Sequence, residues 1–225
     1  MRPIGSEPPE KGRAVHLAEI WRYPVKSMGG ERLSEAALGP LGVEGDRVVH
    51  VENARGRLIT ARTHSRLLAH HAVLGADGEP LVDGRSWTDG RIESAVQSIV
   101  GPGARLVRDE SDGRFDVLPL LIATDGAVAA FGYDGRRLRP NLVIGGVEGL
   151  DERSWPGRRL HIGAVTIALD SLRGRCVMTT FDPDTLQQNL QVLRTIVDRF
   201  GGELALNASV VRGGRIRQGD SVEVL

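Results

Sequence analysis

Short apolar segments, separated by turn residues, recur along most of the chain, and this pattern favours strands over helices. The strand candidates are residues 16–25, 47–51, 58–61, 73–74, 80–82, 118–124, 141–144, 161–169, 204–211 and 221–225. Turn sequences at 53–56 and 76–78 lie between two pairs of these candidates and predict two β-hairpins. We therefore expect a fold built mainly from sheets.

Three segments are predicted to be helices instead. Residues 91–100 end at Gly101-Pro102-Gly103, and residues 125–131 begin with Asp125, which we expect to cap that helix. The clearest helix ends at Gly201-Gly202 and has one apolar face, formed by Leu186, Leu190, Leu193, Ile196, Val197 and Phe200. Because helices are few and do not alternate with strands, the predicted fold class is β-rich α+β, with a β-barrel and few helices.

The charge composition argues against a nucleic-acid binder. The chain of 225 residues has 29 lysines plus arginines and 29 aspartates plus glutamates, whereas nucleic-acid-binding domains usually carry a basic excess. Balance over the whole chain still leaves room for a local basic site. We expect no nucleic-acid partner.

The N-terminal segment and the length of the apolar segments argue against export and membrane insertion. Residues 1–13 are polar and proline-rich and lack the apolar stretch of a signal peptide, so we predict a disordered tail there. The apolar segments are too short to span a bilayer. The chain has one cysteine, so an intramolecular disulfide cannot form. We expect a cytoplasmic protein without a membrane partner.

The single cysteine, Cys176, is the main candidate for chemistry. A lone cysteine is most often a small buried apolar residue. Arg173 and Arg175 flank this one, however, and neighbouring cations favour the thiolate form of a cysteine. A thiolate there is suited to act as a nucleophile, a sulfur carrier or a ligand to a soft metal. The flanking residues do not choose among the three.

Several short motifs occur in the chain in the same order as in a known family. They are Tyr23–Ser27 (YPVKS), Gly45–Arg47 (GDR) with Thr60–Arg62 (TAR), Arg139–Ile144 (RPNLVI), Arg175–Thr185 (RCVMTTFDPDT) and Gly214–Val222 (GRIRQGDSV). Together they resemble the MOSC family, which is named after the C-terminal domain of molybdenum cofactor sulfurase, and in particular its amidoxime-reducing branch.

The resemblance implies a MOSC domain with a β-barrel over residues 108–225, preceded by an N-terminal MOSC-associated β lobe over residues 14–107. It also implies a molybdenum cofactor, a molybdopterin-type pterin, held between the two lobes. The implied contacts to the cofactor are Lys26, Ser27, Arg47, Arg139, Asn141, Arg175 and Thr179. A pterin phosphate fits such a set because arginine donates planar, charge-assisted hydrogen bonds.

The same resemblance implies that Cys176 is the protein ligand to the metal and that Cys176 and Asp182 are catalytic residues. The residues themselves leave the role of Asp182 open. Asp182 and Asp184 flank a proline in a turn, where a carboxylate either fixes the loop or relays protons.

The activity implied by the resemblance is the two-electron reduction of N-hydroxylated small molecules such as amidoximes. Because Cys176 is the only cysteine, the chain cannot supply the ligands of an iron–sulfur cluster, and we expect electrons from a separate flavin or iron–sulfur partner. Two alternatives stay open. One is a sulfur carrier with a persulfide on Cys176, and the other is a carrier that stores or delivers the cofactor without turnover.

Overall fold

The computed structural model describes residues 14–225, so the predicted tail at 1–13 lies outside the described residues. These residues form seventeen strands and three α-helices. The strands are β1 (His16–Arg22), β2 (Glu31–Leu33), β3 (Glu35–Gly39), β4 (Gly42–Val43), β5 (Val49–Glu52), β6 (Leu58–Ile59), β7 (Ala72–Leu74), β8 (Pro80–Val82), β9 (Arg85–Ser86), β10 (Arg105–Arg108), β11 (Leu120–Thr124), β12 (Leu142–Gly145), β13 (Arg159–Ile162), β14 (Val165–Gly174), β15 (Glu203–Arg212), β16 (Gly214–Arg217) and β17 (Val222–Val224). The helices are α1 (Gly90–Val100), α2 (Asp125–Phe131) and α3 (Gln191–Phe200). The prediction of a β-rich fold with few helices is confirmed.

A mixed sheet of eight strands forms the centre of the protein, in the order β17-β13-β14-β15-β11-β12-β1-β2. Only β11 and β12 run parallel; the other neighbours in this sheet are antiparallel. Within residues 14–225 these pairings leave β17 and β2 as the two edges and do not close a ring. The backbone N–H of Leu17 nevertheless donates to the carbonyl of Asp220 (2.8 Å), and that of Val222 donates to Val15 (3.0 Å). The sheet therefore curls until the start of β17 meets the start of β1.

Three hydrophobic cores hold these elements together. The largest lies against the curled sheet and includes Leu17, Ile122 and Leu160. A second core gathers buried residues between 25 and 104. A third joins α2 to α3 and includes Phe131 and Ile196. Because β1 lies in the same sheet as the C-terminal strands, the first of the described residues are anchored to the last part of the chain. The boundary near residue 107 stays a prediction.

Most of the elements expected from local patterns are present. Strands β5 and β6 form the first predicted hairpin, and β7 and β8 form the second. The turn of the first is held by Asn53, whose side-chain oxygen accepts the backbone N–H groups of Arg55 and Arg57. Helix α1 is capped by Asp89, which accepts the N–H of Arg91 at 2.8 Å. No helix in the described part of the chain is long and apolar enough to cross a membrane.

The cap of α2 differs from the prediction. Thr124, not Asp125, precedes the helix, and its hydroxyl accepts the N–H of Ala127 at 3.0 Å. Asp125 is the first helical residue, and its carboxylate accepts the N–H groups of Gly146 (2.8 Å) and Val147 (3.0 Å). The sequence Thr124-Asp125 offers two capping residue types, and the contact of Asp125 with the 146–147 loop decides between them.

The start of α3 is also later than predicted. Leu186 has a left-handed backbone (φ 56°) and lies outside the helix, while Leu190 and Val197 are exposed. The carboxylate of Asp182 accepts the N–H groups of Asp184 and Thr185. This side-chain turn competes with helix formation, so the regular helix begins only at Gln191.

A carboxyl group is buried in the large core beside the helix cap. Glu152 is fully buried, and its Oε2 accepts the hydroxyl of Thr124 at 3.2 Å, while its Oε1 has no hydrogen-bond partner among the described residues. Burial raises the pKa of Glu152 above its ordinary value of 4.5, and the hydrogen bond from Thr124 opposes this only in part. A carboxyl group whose pKa is higher in the folded than in the unfolded protein stabilises the fold at pH values below its unfolded-state pKa. That stabilisation is lost as the pH rises through the folded-state pKa.

We therefore expect Glu152→Gln to remove a destabilising charge at neutral and alkaline pH. The variant should have a higher free energy of unfolding than the wild type at about pH 8, and the difference should shrink as pH falls to about 4. Urea unfolding across this range measures it, with the exposed Glu148→Gln as a matched control. An identical pH dependence in the wild type and Glu152→Gln would show that Glu152 is not the titrating group.

Candidate functional site

The protein contains a cavity of about 430 Å³. Its wall is formed by some of the residues between 26 and 62, by residues from the segments 115–121, 137–141 and 172–178, and by Asn207. Of the sequence-predicted site residues, Lys26, Ser27, Arg47, Arg139, Asn141, Arg175 and Cys176 line it, and Thr179 and Asp182 do not. The lining includes one carboxylate, Asp116, and seven cations: Lys26, Arg47, Arg62, Arg137, Arg139, Arg173 and Arg175. A chain with no net charge thus concentrates positive charge at one place.

The backbone of the cavity wall is strained at three positions. Six residues other than glycine have a positive φ in the described part of the chain, and three of them are Ser27 (70°), Arg47 (54°) and Arg139 (55°). This left-handed conformation costs about 1–2 kcal/mol for a residue with a side chain. Hydrogen bonds hold it in place: the N–H of Arg47 donates to the carbonyl of Tyr23 (2.8 Å), and that of Arg139 donates to Arg136 (3.0 Å). Strain maintained in this way is typical of binding and catalytic sites.

A buried carboxylate, Asp46, fixes one side of the cavity. Its Oδ1 accepts the backbone N–H of Tyr23 (2.7 Å), and its Oδ2 accepts the side-chain amide of Asn141 (3.1 Å) and the guanidinium of Arg47. Asn141 in turn accepts the N–H of Leu121 at 3.1 Å through its side-chain oxygen. This network joins β1, β11 and the start of β12, so the side chain of Asn141 is fully used in bracing the wall.

Tyr23 packs between two of the cavity arginines. Its ring centre lies 4.2 Å from the Cζ of Arg139 and 5.3 Å from that of Arg47, which favours cation–π attraction. Burial raises the pKa of Tyr23 to about 12, and burial lowers the pKa of Arg139 to about 10, helped by the neighbouring charge of Arg47. At neutral pH the tyrosine is therefore neutral and the arginine is charged.

The carboxylate of Asp116 binds three cations at the other side of the cavity. It lies 2.9 Å from the Nζ of Lys26 and 3.4 Å from Arg173, and it also pairs with Arg62. Burial opposes the ionisation of Asp116, but these cations outweigh it and lower its pKa. Asp116 is not among the site residues predicted from the sequence. Arg62 and Arg173 carried weak signals, since one ends the TAR motif and the other precedes the cysteine.

Cys176 lines the cavity and is half-buried. It precedes a short 3₁₀ turn, Val177–Thr180, and its carbonyl accepts both the N–H (3.1 Å) and the hydroxyl (2.9 Å) of Thr179. Thr179 thus lies behind the cysteine and fixes its backbone. The turn holds the thiol at a constant place in the wall.

Three arginines surround the Cys176 thiol. Burial opposes protonation of Arg62, but Asp116 and Cys176 outweigh it and raise its pKa. Burial, together with the neighbouring charge of Arg173, lowers the pKa of Arg175 to about 10, although Cys176 opposes the shift. Arg175 donates one hydrogen bond to the carbonyl of Leu138 (2.7 Å), and its buried Nε has no partner among the described residues. The positive charge near the sulfur is thus only partly neutralised.

Asp182 braces the loop behind the cysteine. Its Oδ1 accepts the N–H groups of Asp184 and Thr185 together with the hydroxyl of Thr185, and its Oδ2 accepts the guanidinium of Arg137 at 2.8 Å. The backbone N–H groups lower the pKa of Asp182. Asp184 pairs instead with Arg136. Asp182 therefore reaches the cavity only through Arg137, which lines it.

The donor atoms of the cavity limit how it could hold a metal. Residues 14–225 contain no group of three or more histidine, cysteine, aspartate or glutamate side chains arranged to bind a metal ion. Cys176 is the only cysteine of the chain. The protein could therefore give a metal in this cavity at most one sulfur ligand, and any further sulfur ligand would have to come from a bound small molecule.

Comparisons with family models and with known proteins identify the family of the chain. Residues 14–113 match the family model of the MOSC N-terminal beta barrel domain, and residues 127–223 match that of the MOSC domain. The human mitochondrial amidoxime-reducing component 1 is 26% identical over 229 residues, which cover 75% of this chain and 67% of the relative. Molybdenum cofactor sulfurase 2 of Culex quinquefasciatus is 35% identical over 68 residues, 30% of this chain and 9% of the relative.

A solved structure supports the fold. The YUAD protein of Bacillus subtilis superposes with a TM-score of 0.50 over 94% of this chain and 95% of its own, at 12% sequence identity. The two family models together match most of the residues, in the order in which the motifs occur. The chain therefore belongs to the MOSC family, with a MOSC N-terminal domain followed by a MOSC domain.

Proposed function

We propose that the cavity binds the molybdenum cofactor, with Cys176 as the protein ligand to the metal, and that the protein reduces N-hydroxylated small molecules. The observation that carries this proposal is a half-buried thiol in a cavity lined by seven cations and one carboxylate. Support also comes from similarity to proteins named for amidoxime reduction and for the molybdenum cofactor.

The chemistry of the cavity fits this cofactor. A pterin that chelates a metal through two sulfurs brings the soft donors that the chain lacks, and Cys176 adds one more. Its terminal phosphate needs charge-assisted donors, which the cavity offers in excess. Two of the cavity arginines, Arg137 and Arg175, keep a buried Nε without a partner among the described residues, and a buried donor left unpaired is unfavourable unless a ligand satisfies it. The volume of about 430 Å³ lies in the range of small-molecule sites.

The chain's own residues would divide the work as follows. Lys26, Ser27, Arg47 and Arg139 would bind the pterin and its phosphate. Asn141, Thr179 and Asp182 would act through others: Asn141 through the buried network of Asp46, Thr179 through the backbone of Cys176, and Asp182 through Arg137. The cofactor, when bound, supplies two-electron redox chemistry at an oxygen atom.

The net reaction breaks the N–O bond of the substrate. Two electrons and two protons are consumed, and an amidoxime gives an amidine and water. Because the chain has one cysteine, we propose that the electrons come from a separate flavin or iron–sulfur protein. On this proposal the N-terminal lobe, 14–107, and the MOSC barrel, 108–225, each provide part of the cavity, the first with Lys26 and Arg47 and the second with Arg139 and Cys176.

The test is reduction of benzamidoxime by protein purified from a host that makes the cofactor, with reduced benzyl viologen as the electron source. We expect benzamidine to form with molybdenum-replete protein and not with protein from cells grown in tungstate, which blocks the formation of active molybdenum sites. If molybdenum-replete protein does not reduce benzamidoxime, the proposed reductase activity is contradicted. If that protein also carried a persulfide on Cys176, sulfur transfer would replace reduction as the proposed function.

A further inference from the structure

The positive charge near Cys176 exceeds what its neighbours neutralise. Asp116 faces three cations, Lys26, Arg62 and Arg173. The other side-chain contacts of Lys26 and Arg173 are to neutral acceptors, the carbonyl of Arg114 and the amide oxygen of Asn207. One carboxylate therefore leaves two positive charges of this cluster unbalanced.

Arg62 is the most accessible of these cations. Its side chain is 42% exposed, compared with 9% for Lys26 and 18% for Arg173. Every other cation that lines the cavity is buried or half-buried. Arg62 therefore marks the mouth of the cavity.

The mouth also offers an apolar contact. Val117 lines the cavity and is 55% exposed, so its side chain is open to contact with a bound molecule. A substrate with its reacting N–O group near Cys176 would have both Val117 and Arg62 within reach, because all three residues line the same cavity. The negative charge of Asp116 does not prevent Arg62 from binding an anionic group of the substrate. When Arg62 binds such a group, Asp116 keeps Lys26 and Arg173 as its partners.

We propose that Arg62 binds a carboxylate on the substrate, so that the protein prefers acidic N-hydroxylated compounds to neutral ones. This inference rests on the proposed function and names its substrate class. In the reaction the N–O bond breaks, the oxygen leaves as water, and two electrons from the external donor and two protons are taken up. The carboxylate is unchanged and serves only in binding.

The experiment compares 4-carboxybenzamidoxime with its neutral methyl ester. Wild-type protein should show about a fivefold higher kcat/KM for the acid, the size expected of a partly exposed ion pair. Arg62→Met should remove this preference, so that its kcat/KM is the same for the acid and the ester, and Arg62→Lys should keep part of the preference. Raised salt should weaken the preference in the wild type, because exposed charges are screened. Arg55→Met, an exposed arginine outside the cavity, is the matched control and should behave as wild type.

Binding without turnover separates this inference from the proposed function. Titration calorimetry in the absence of an electron donor should give a lower Kd for the acid than for the ester, and Arg62→Met should remove the difference. If that pattern appears and neither compound is reduced, the proposed reductase activity is wrong, but the proposal that Arg62 binds a carboxylate stands. If both compounds are reduced but the wild type and Arg62→Met discriminate equally, the reductase stands and the role of Arg62 is wrong.

Discussion

Cys176→Ser should lose at least about 99% of the reductase activity while the protein stays folded, since loss of even an indirect ligand contact lowers metal affinity or activity by about 10- to 100-fold. A serine hydroxyl is a hard, weakly acidic oxygen and does not replace a thiolate as a ligand to a soft metal. The thiol is half-buried and makes no side-chain hydrogen bond that caps the following turn. The free energy of unfolding should therefore change by less than about 0.5 kcal/mol.

The measurement is the initial rate of benzamidoxime reduction, together with urea unfolding of the same preparations. Val177→Ala is the matched control, since Val177 is the next residue in the turn and does not line the cavity. It should retain most of the activity. Full activity in Cys176→Ser would exclude the cysteine as the ligand.

Asp46→Ala should have the largest effect on stability, a loss of about 3 kcal/mol in the free energy of unfolding, which is the size expected when one partner of a buried ion pair is removed. The Asp46 side chain is fully buried and accepts hydrogen bonds from Tyr23, Asn141 and Arg47. Without it, the N–H of Tyr23 and the guanidinium of Arg47 lose a buried acceptor. The strained backbone of Arg47 also loses part of what holds it.

Asp116→Ala is the matched comparison for this prediction. Asp116 also binds an arginine, but its side chain is 30% exposed and water can replace it. Its loss should lower the free energy of unfolding by less than about 1 kcal/mol. Urea unfolding of both variants, in the absence of cofactor, measures the difference. Equal losses would mean that the Asp46 network does not stabilise the fold more than the partly exposed ion pairs of Asp116 do.

Local sequence patterns were sufficient to predict the elements that are formed by residues close together in the sequence. The β5–β6 hairpin follows from a turn at Asn53, and the end of α1 follows from the Gly101-Pro102-Gly103 stop signal. Sequence patterns gave a wrong prediction where a side chain forms hydrogen bonds with the backbone of its own loop. The leucine spacing from Leu186 onwards looks helical, yet the Asp182 turn holds Leu186 in a left-handed conformation.

Contacts between distant parts of the chain could not be predicted from the sequence in this way. The Asp46–Asn141 hydrogen bond spans 95 residues, and Asp116 meets Lys26, Arg62 and Arg173 from a loop that has no recognisable pattern. The motif residues were found because they match a family, and the structure adds which of them line the cavity. It places Thr179 behind Cys176 and Asp182 behind Arg137.

Above all, we claim that this cavity holds a molybdenum cofactor on Cys176. The most direct test is molybdenum and pterin content of the wild type and Cys176→Ser, both purified from a host that makes the cofactor. We expect near-equimolar molybdenum and pterin in the wild type, and less than about a tenth of that molybdenum in the variant. Wild-type protein that contains neither metal nor pterin, or a variant that retains the metal in full, would contradict the claim.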